Sequence, residues 1–151
     1  MSTSTRHIVW GVMACLLLLA TSCVKDVEST LYAKEPAINL VSLSSTELAE
    51  FSDTLFVRMR YEDGDGDLGG FDSPSKLYVL DLRLSEPDQF ALEELTPNGQ
   101  ALAIAGEMNV ALGPYFKLGN APEEVFAVEL WMIDRAGNES NHITTEDLTV
   151  R

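Results

Sequence analysis

The 151-residue chain has two cysteines, Cys15 and Cys23, and none beyond them. Disulfides, thiolate zinc sites and cysteine nucleophiles are thereby excluded from everything downstream of residue 23. Histidine is as scarce, since only His142 follows His7, and one histidine beside a turn reads as a surface residue rather than a catalyst. Positive charge is short too. All 24 acidic residues lie after Cys23 with only nine of the ten basic ones, a net charge near −15 for that part. Such a surface repels nucleic acid and anionic lipid headgroups, whose binding requires clustered Lys and Arg. No Gly-x-Ser-x-Gly elbow, His-Glu-x-x-His helix or phosphate-binding Gly-Lys-Ser loop occurs, so an enzyme is not expected. Internal repeats, low-complexity tracts and long amphipathic helical runs are also missing. Only Asp88 to Leu95, through Phe90, Leu92 and Leu95, predicts a turn or two of helix.

What is present begins with a leader. Met1 to His7 is short and polar with Arg6 as its full positive charge, and Ile8 to Ala20 then runs thirteen residues without charge. Thirteen helical residues span about 20 Å, short of the roughly 30 Å hydrocarbon core. A run of this kind is an export signal rather than a stable span. It ends in Ala20-Thr21-Ser22, followed at once by Cys23. One reading is an ordinary secretory signal with Cys23 incidental. The other is that the exit resembles the lipobox of bacterial lipoproteins, which implies cleavage before Cys23 and lipidation of its thiol. Two or more acyl chains, at about 0.8 kcal/mol per buried CH₂, anchor stably where one does not. The chain then divides into a signal peptide over 1–22, a lipidated cysteine with a flexible tether over 23–35, and a folded domain over 36–151.

In the domain the hydrophobic pattern has a period of two. Thr54 to Glu62 sets Leu55, Val57, Met59 and Tyr61 on one face, with Arg58 and Arg60 opposite and paired with surface acids. Lys76 to Leu84 repeats the alternation with Tyr78, Leu80, Leu82 and Leu84 opposite Asp81 and Arg83, and Glu124 to Asp134 repeats it with Phe126, Val128, Leu130 and Met132 inward. Trp131 falls on its outward parity, either as a ligand or partner patch or beneath a neighbouring loop. Alternation of this kind marks strands with one buried face. Weaker strands are expected at Ala37 to Leu43, Ala101 to Ala105, Glu107 to Leu112 and Ile143 to Val150. About seven short strands separated by Gly, Pro and Asn turns predict an all-β fold, an antiparallel β-sandwich.

The sharpest local feature is Glu62-Asp63-Gly64-Asp65-Gly66-Asp67-Leu68-Gly69-Gly70-Phe71-Asp72. Carboxylates at alternate positions between glycines can fold around one point. Hard oxygen ligands of this sort select Ca²⁺. As an EF-hand the loop fails, with Leu68 where Gly is required and Pro74 where a bidentate Glu is required. A calcium site would therefore draw on Asp63, Asp65, Asp67 and Asp72 and be completed from Asp134 and Asn138. Asp134 lies on the inward parity of the third clear strand and would face the loop across one pole of the sandwich. The alternative is a solvated Gly/Asp turn whose carboxylates cap nearby backbone N–H groups. Nothing in the sequence places an apolar pocket around these acids that would raise a pKa. No other cofactor is implied.

The stretch Tyr61-Glu62-Asp63-Gly64-Asp65-Gly66-Asp67-Leu68-Gly69, together with Asp134-Arg135-Ala136-Gly137-Asn138-Glu139-Ser140-Asn141, resembles a family of largely uncharacterised Bacteroidetes-type lipoproteins. The resemblance covers roughly residues 36–150 and the leader exit. It implies an immunoglobulin-like or cadherin-like sandwich on the outer membrane, and Lys25-Asp26 after the cysteine resembles a surface-export tag. The expectation is a non-enzymatic binding or structural module in the cell envelope, with a protein or glycan partner besides the membrane. The alternative is an accessory subunit of an outer-membrane assembly or nutrient-uptake complex.

Overall fold

A computed structural model describes residues 31–70, 75–96 and 100–151. Among them are ten strands and no helix: β1 (Ala37–Leu43), β2 (Glu47–Leu48), β3 (Leu55–Asp63), β4 (Lys76–Asp81), β5 (Asp88–Ala91), β6 (Ile104–Leu112), β7 (Glu124–Phe126), β8 (Val128–Ile133), β9 (Ile143–Thr144) and β10 (Leu148–Val150). The leader and Cys23 lie outside the described residues, as do Asp72 and Pro74.

The first sheet has the order β1-β3-β6. Its middle strand shows why it forms: Leu55, Val57 and Met59 are fully buried, while Phe56, Arg58 and Arg60 point outward. The β3–β6 ladder is antiparallel and unbroken from Leu55↔Leu112 to Asp63↔Ile104. The second sheet, β5-β4-β8-β9, is antiparallel throughout. Val128, Leu130 and Met132 of β8 carry its inner face. With β1, β3 and β6 on one side and β4, β8 and β9 on the other, edged by β5, the order is that of strands A, B and E against C, F and G with C′, an immunoglobulin-like antiparallel sandwich. A small third sheet, β2-β10-β7, includes the parallel pair β2–β10 and closes one side. All three sheets share one core.

Several boundaries differ from the sequence expectation. The expected helical turn over Asp88 to Leu95 is instead strand β5, hydrogen-bonded along the free edge of β4 from Lys76↔Ala91 to Val79↔Asp88. A non-local edge outcompetes a short helical spacing that could bury only part of itself, for Phe90 stays 41% exposed and Leu92 alone is buried. The two weak strands over Ala101 to Leu112 merge into β6. The run Glu124 to Asp134 divides at Ala127, with β7 in the third sheet and β8 in the second. There Ala127 gives its carbonyl to the Leu82 N–H (3.0 Å), outside both ladders. The run from Ile143 splits in the same way into β9 and β10. Strand β4 alternates on the parity opposite to that expected, for its register with β8 sets Leu77 beside Met132 and Val79 beside Leu130 in the core, and Tyr78 and Leu80 fall on the outer face. Leu82 and Leu84 lie beyond the strand and are half exposed, because β4 stops at Asp81, whose carboxylate accepts the Arg83 N–H (3.0 Å) and turns the chain.

Candidate metal centre

β3 and β8 both run toward the same pole, where the buried parity ends in Asp63, the last residue of β3, and in Asp134, the residue directly after β8. Continuing the β3 alternation makes Asp63 fully buried (0% exposed). The chain then leaves the sheet through the Gly-Asp repeat. Gly64 is required because a side chain there would run into the backbone carbonyls of Tyr32 and Ala33. Gly66 is required twice over, by its φ of 70° and by the Leu102 carbonyl beside it. Leu68 is fully buried in the core and pins the loop. That is the physical reason the loop departs from the EF-hand pattern: this position anchors the loop and does not turn it.

The result is convergence of charge. One oxygen each from Asp63, Asp65 and Asp67 lies within 4.8 Å of the others. Asp63 uses Oδ2 to accept the Leu68 N–H (3.1 Å), and Asp67 uses Oδ2 to accept the Ala136 N–H (3.0 Å). The Oδ1 atoms of Asp63, Asp65 and Asp67 are buried with no hydrogen-bond partner among the described residues. Buried polar atoms are normally paired, so three unpaired carboxylate oxygens on one loop are unusual. Contrary to the sequence expectation, the surroundings do raise the carboxyl pKa values. Burial is the main cause of the upward shift at Asp63. It also pushes Asp67 up to about 6, with Asp134, Asp65 and Asp63 adding to the effect through like-charge repulsion.

The Asp134–Asn138 hairpin packs directly on this loop. Ala136 N–H donates to the Asp67 carboxylate, Arg135 N–H to the Asp67 carbonyl (3.4 Å), and Arg135 Nη2 to the Gly66 carbonyl (3.3 Å). Asp134 closes the hairpin by accepting from the Asn138 N–H and from its Nδ2, each at 2.8 Å. The structure thus brings Asp63, Asp65, Asp67, Asp134 and Asn138 to one pole. Asp134 and Asn138 bond to each other, and the three loop aspartates carry the free oxygens. Among the described residues Arg135 bonds carbonyls rather than carboxylates. One participant had no signal in the sequence. Fully buried Ser75 accepts the Gly69 N–H (2.8 Å) and donates to the Asp67 carbonyl (3.1 Å), tying the loop to the start of β4.

The other residues singled out lie elsewhere. Arg58 pairs with Glu107, and Arg60 with Glu62 at 3.0 Å, on the exposed face. Trp131 is stacked between Tyr78 of β4 (5.1 Å between centroids) and His142 of the loop that precedes β9 (4.6 Å). His142 is held by Glu139 (2.9 Å) and Glu129 (3.1 Å), and its pKa is raised, mainly by the bond to Glu139.

No family model matches the chain, and no curated protein matches it. Among solved structures it is similar to a Niemann-Pick type C2 protein from the Japanese carpenter ant. That match has a TM-score of 0.49 and 10% identity, covering 80% of this chain and 96% of the other. At that score and identity the likeness is one of general outline.

Proposed function

We propose that this chain is a non-enzymatic module of the bacterial cell envelope, held on the outer membrane by lipid on Cys23 and stiffened by Ca²⁺ at its acidic pole. The observation that supports the metal is that Asp63, Asp65 and Asp67 bring oxygens within 4.8 Å of one another and that each also has a buried oxygen without a donor among the described residues. At an effective dielectric of about 20, like charges this close repel by roughly 3–4 kcal/mol per pair. A divalent cation among them adds an attraction to each carboxylate that outweighs this repulsion. All-oxygen donors on a glycine-rich loop suit Ca²⁺, which accepts irregular geometry, better than Mg²⁺, which demands a near-ideal octahedron. The role given to Cys23 rests on the leader sequence alone.

Thermal unfolding tests the metal. With a site of about 0.1 mM affinity in about 1 mM free calcium, linkage adds roughly 1.4 kcal/mol. For a domain of this size that raises Tm by about 4–8 °C over the value in chelator. Identical melting curves in the two conditions would remove calcium from the function.

The accessory-subunit reading draws on a separate observation at the other pole. There Leu84, Phe90, Phe116 and Leu118, all at least 41% exposed, line a cleft of about 190 Å³. Apolar exposure of this kind suits a protein partner.

A further inference from the structure

We infer that the backbone of Tyr32 and Ala33, which leads from the N-terminal leader into the domain, forms part of the cation site, so that the bound ion clamps the tether to the sandwich. The inference rests on the calcium reading above and concerns which oxygens complete the site. Ca²⁺ takes six to eight oxygen ligands. The loop offers three free ones, because Leu68 and Ala136 occupy the second oxygens of Asp63 and Asp67. The requirement for an ion is independent of the mere clustering of acids, since Asp63 is 0% exposed and its Oδ1 has no partner. The remaining ligands must be neutral or come from water.

Two candidates lie against the loop at the right place. The carbonyl oxygens of Tyr32 and Ala33 press on Gly64, between Asp63 and Asp65, so closely that no side chain fits. Carbonyl oxygens are the negative ends of peptide dipoles, and a cation favours packing two of them against the residue that joins Asp63 to Asp65. The rest of the stretch has little else to hold it. Leu31 is 72% exposed, and Ala33, Lys34 and Glu35 are exposed. Firm attachment resumes at Pro36, which is buried, and at Ala37, paired with Glu62 in the β1–β3 ladder, and continues at Ile38, whose N–H and carbonyl both bond the Asn141 side chain at 2.8 Å. Upstream of Pro36, the contact at Gly64 is therefore what fixes the direction in which the chain departs. An occupied site holds the tether at a set angle to the domain, and an empty one lets it swing about Lys34 and Glu35.

Endoproteinase Lys-C acting on the full-length mature lipoprotein in detergent tests this, because it cuts after Lys34, beside the clamp, and after Lys25, away from it. Millimolar Ca²⁺ should slow cleavage after Lys34 about tenfold relative to chelator while cleavage after Lys25 changes little, since proteolysis tracks the population of the open segment. The isosteric change Asp65→Asn should abolish the protection. Its Tm in chelator, no lower than the wild type's, shows that the fold is kept. A calcium-dependent rise in Tm with an unchanged rate at Lys34 would overturn the clamp and leave the metal site standing. No response in either measurement would overturn both.

Discussion

The two poles of the sandwich both gather charge, but only one of them neutralises it. At one end Arg83 is mostly buried and fully engaged. Its guanidinium bonds Asp81 (2.6 Å), Glu124 (3.1 Å) and the Phe116 carbonyl (3.0 Å), and lies 4.0 Å from the centre of the Phe126 ring. Glu124 in turn accepts the Leu118 and Gly119 N–H groups (2.8 and 2.6 Å), and these bonds, with Arg83 behind them, lower its pKa. At the other end the carboxyl groups of Asp63 and Asp67 shift upward. Opposite shifts in chemically equivalent groups separate a cluster complete within the chain from one that lacks a component. Among the described residues, the Arg83 pole pairs its charges, and the acidic pole leaves three carboxylate oxygens without a donor.

Three perturbations sharpen that contrast. The largest effect is expected at the self-sufficient pole. Arg83→Met leaves Asp81 and Glu124 without their cation and should cost about 3 kcal/mol of unfolding free energy. Urea titration should give the same loss in chelator and in calcium, and a loss seen only in calcium would break the distinction between the poles. Next comes Asp63→Asn at the acidic pole. Removing a buried, unpaired charge should raise metal-free stability by about 1 kcal/mol and abolish the response to calcium. Calorimetry with and without chelator should show the two conditions converge; a variant that is less stable in chelator would contradict the electrostatic account.

The smallest effect is on pH dependence. Asp67 has a folded pKa of about 6 against an ordinary 3.8, so between those values the folded state holds a proton that the unfolded state has released. By linkage, the contribution of this group in chelator makes stability fall as pH rises from about 4 to about 6. Above that range both states are ionised and the slope disappears. Asp67→Asn should remove this component, read as the difference between wild-type and variant Tm across the window. Equal slopes would mean that the carboxylate is already compensated within the chain.

Much of the acidic pole was legible in the sequence because it depends on parity. Alternation through Leu55, Val57 and Met59 places Asp63 on the inner face, and alternation through Val128, Leu130 and Met132 does the same for Asp134. Two inward acids at the ends of strands that run toward one pole must meet. What could not be read is what depends on contacts distant in sequence. β5 is a strand because β4 offers it an edge. Ser75 matters because the loop folds back over it. The carbonyls at Gly64 come from a segment some thirty residues earlier. Arg83 carries no local mark of its role, since Glu124 lies 41 positions away. Leu68 was visible as a departure from a known calcium loop, but only the packed core shows that it is the loop's anchor.

The run from Ile143 ends in β10, which lies parallel to β2, and the Arg151 carbonyl accepts the Glu50 N–H (2.8 Å). Glu50 binds the Lys117 N–H (3.0 Å), and the neighbouring Phe51 donates to the Tyr115 carbonyl beside the Arg83 cleft. The last strand thus finishes at the pole remote from the one where Tyr32 and Ala33 enter. Traction between these two ends would run lengthwise through the sandwich. It would slide β10 along β2, loading their hydrogen bonds together in shear rather than peeling them one at a time.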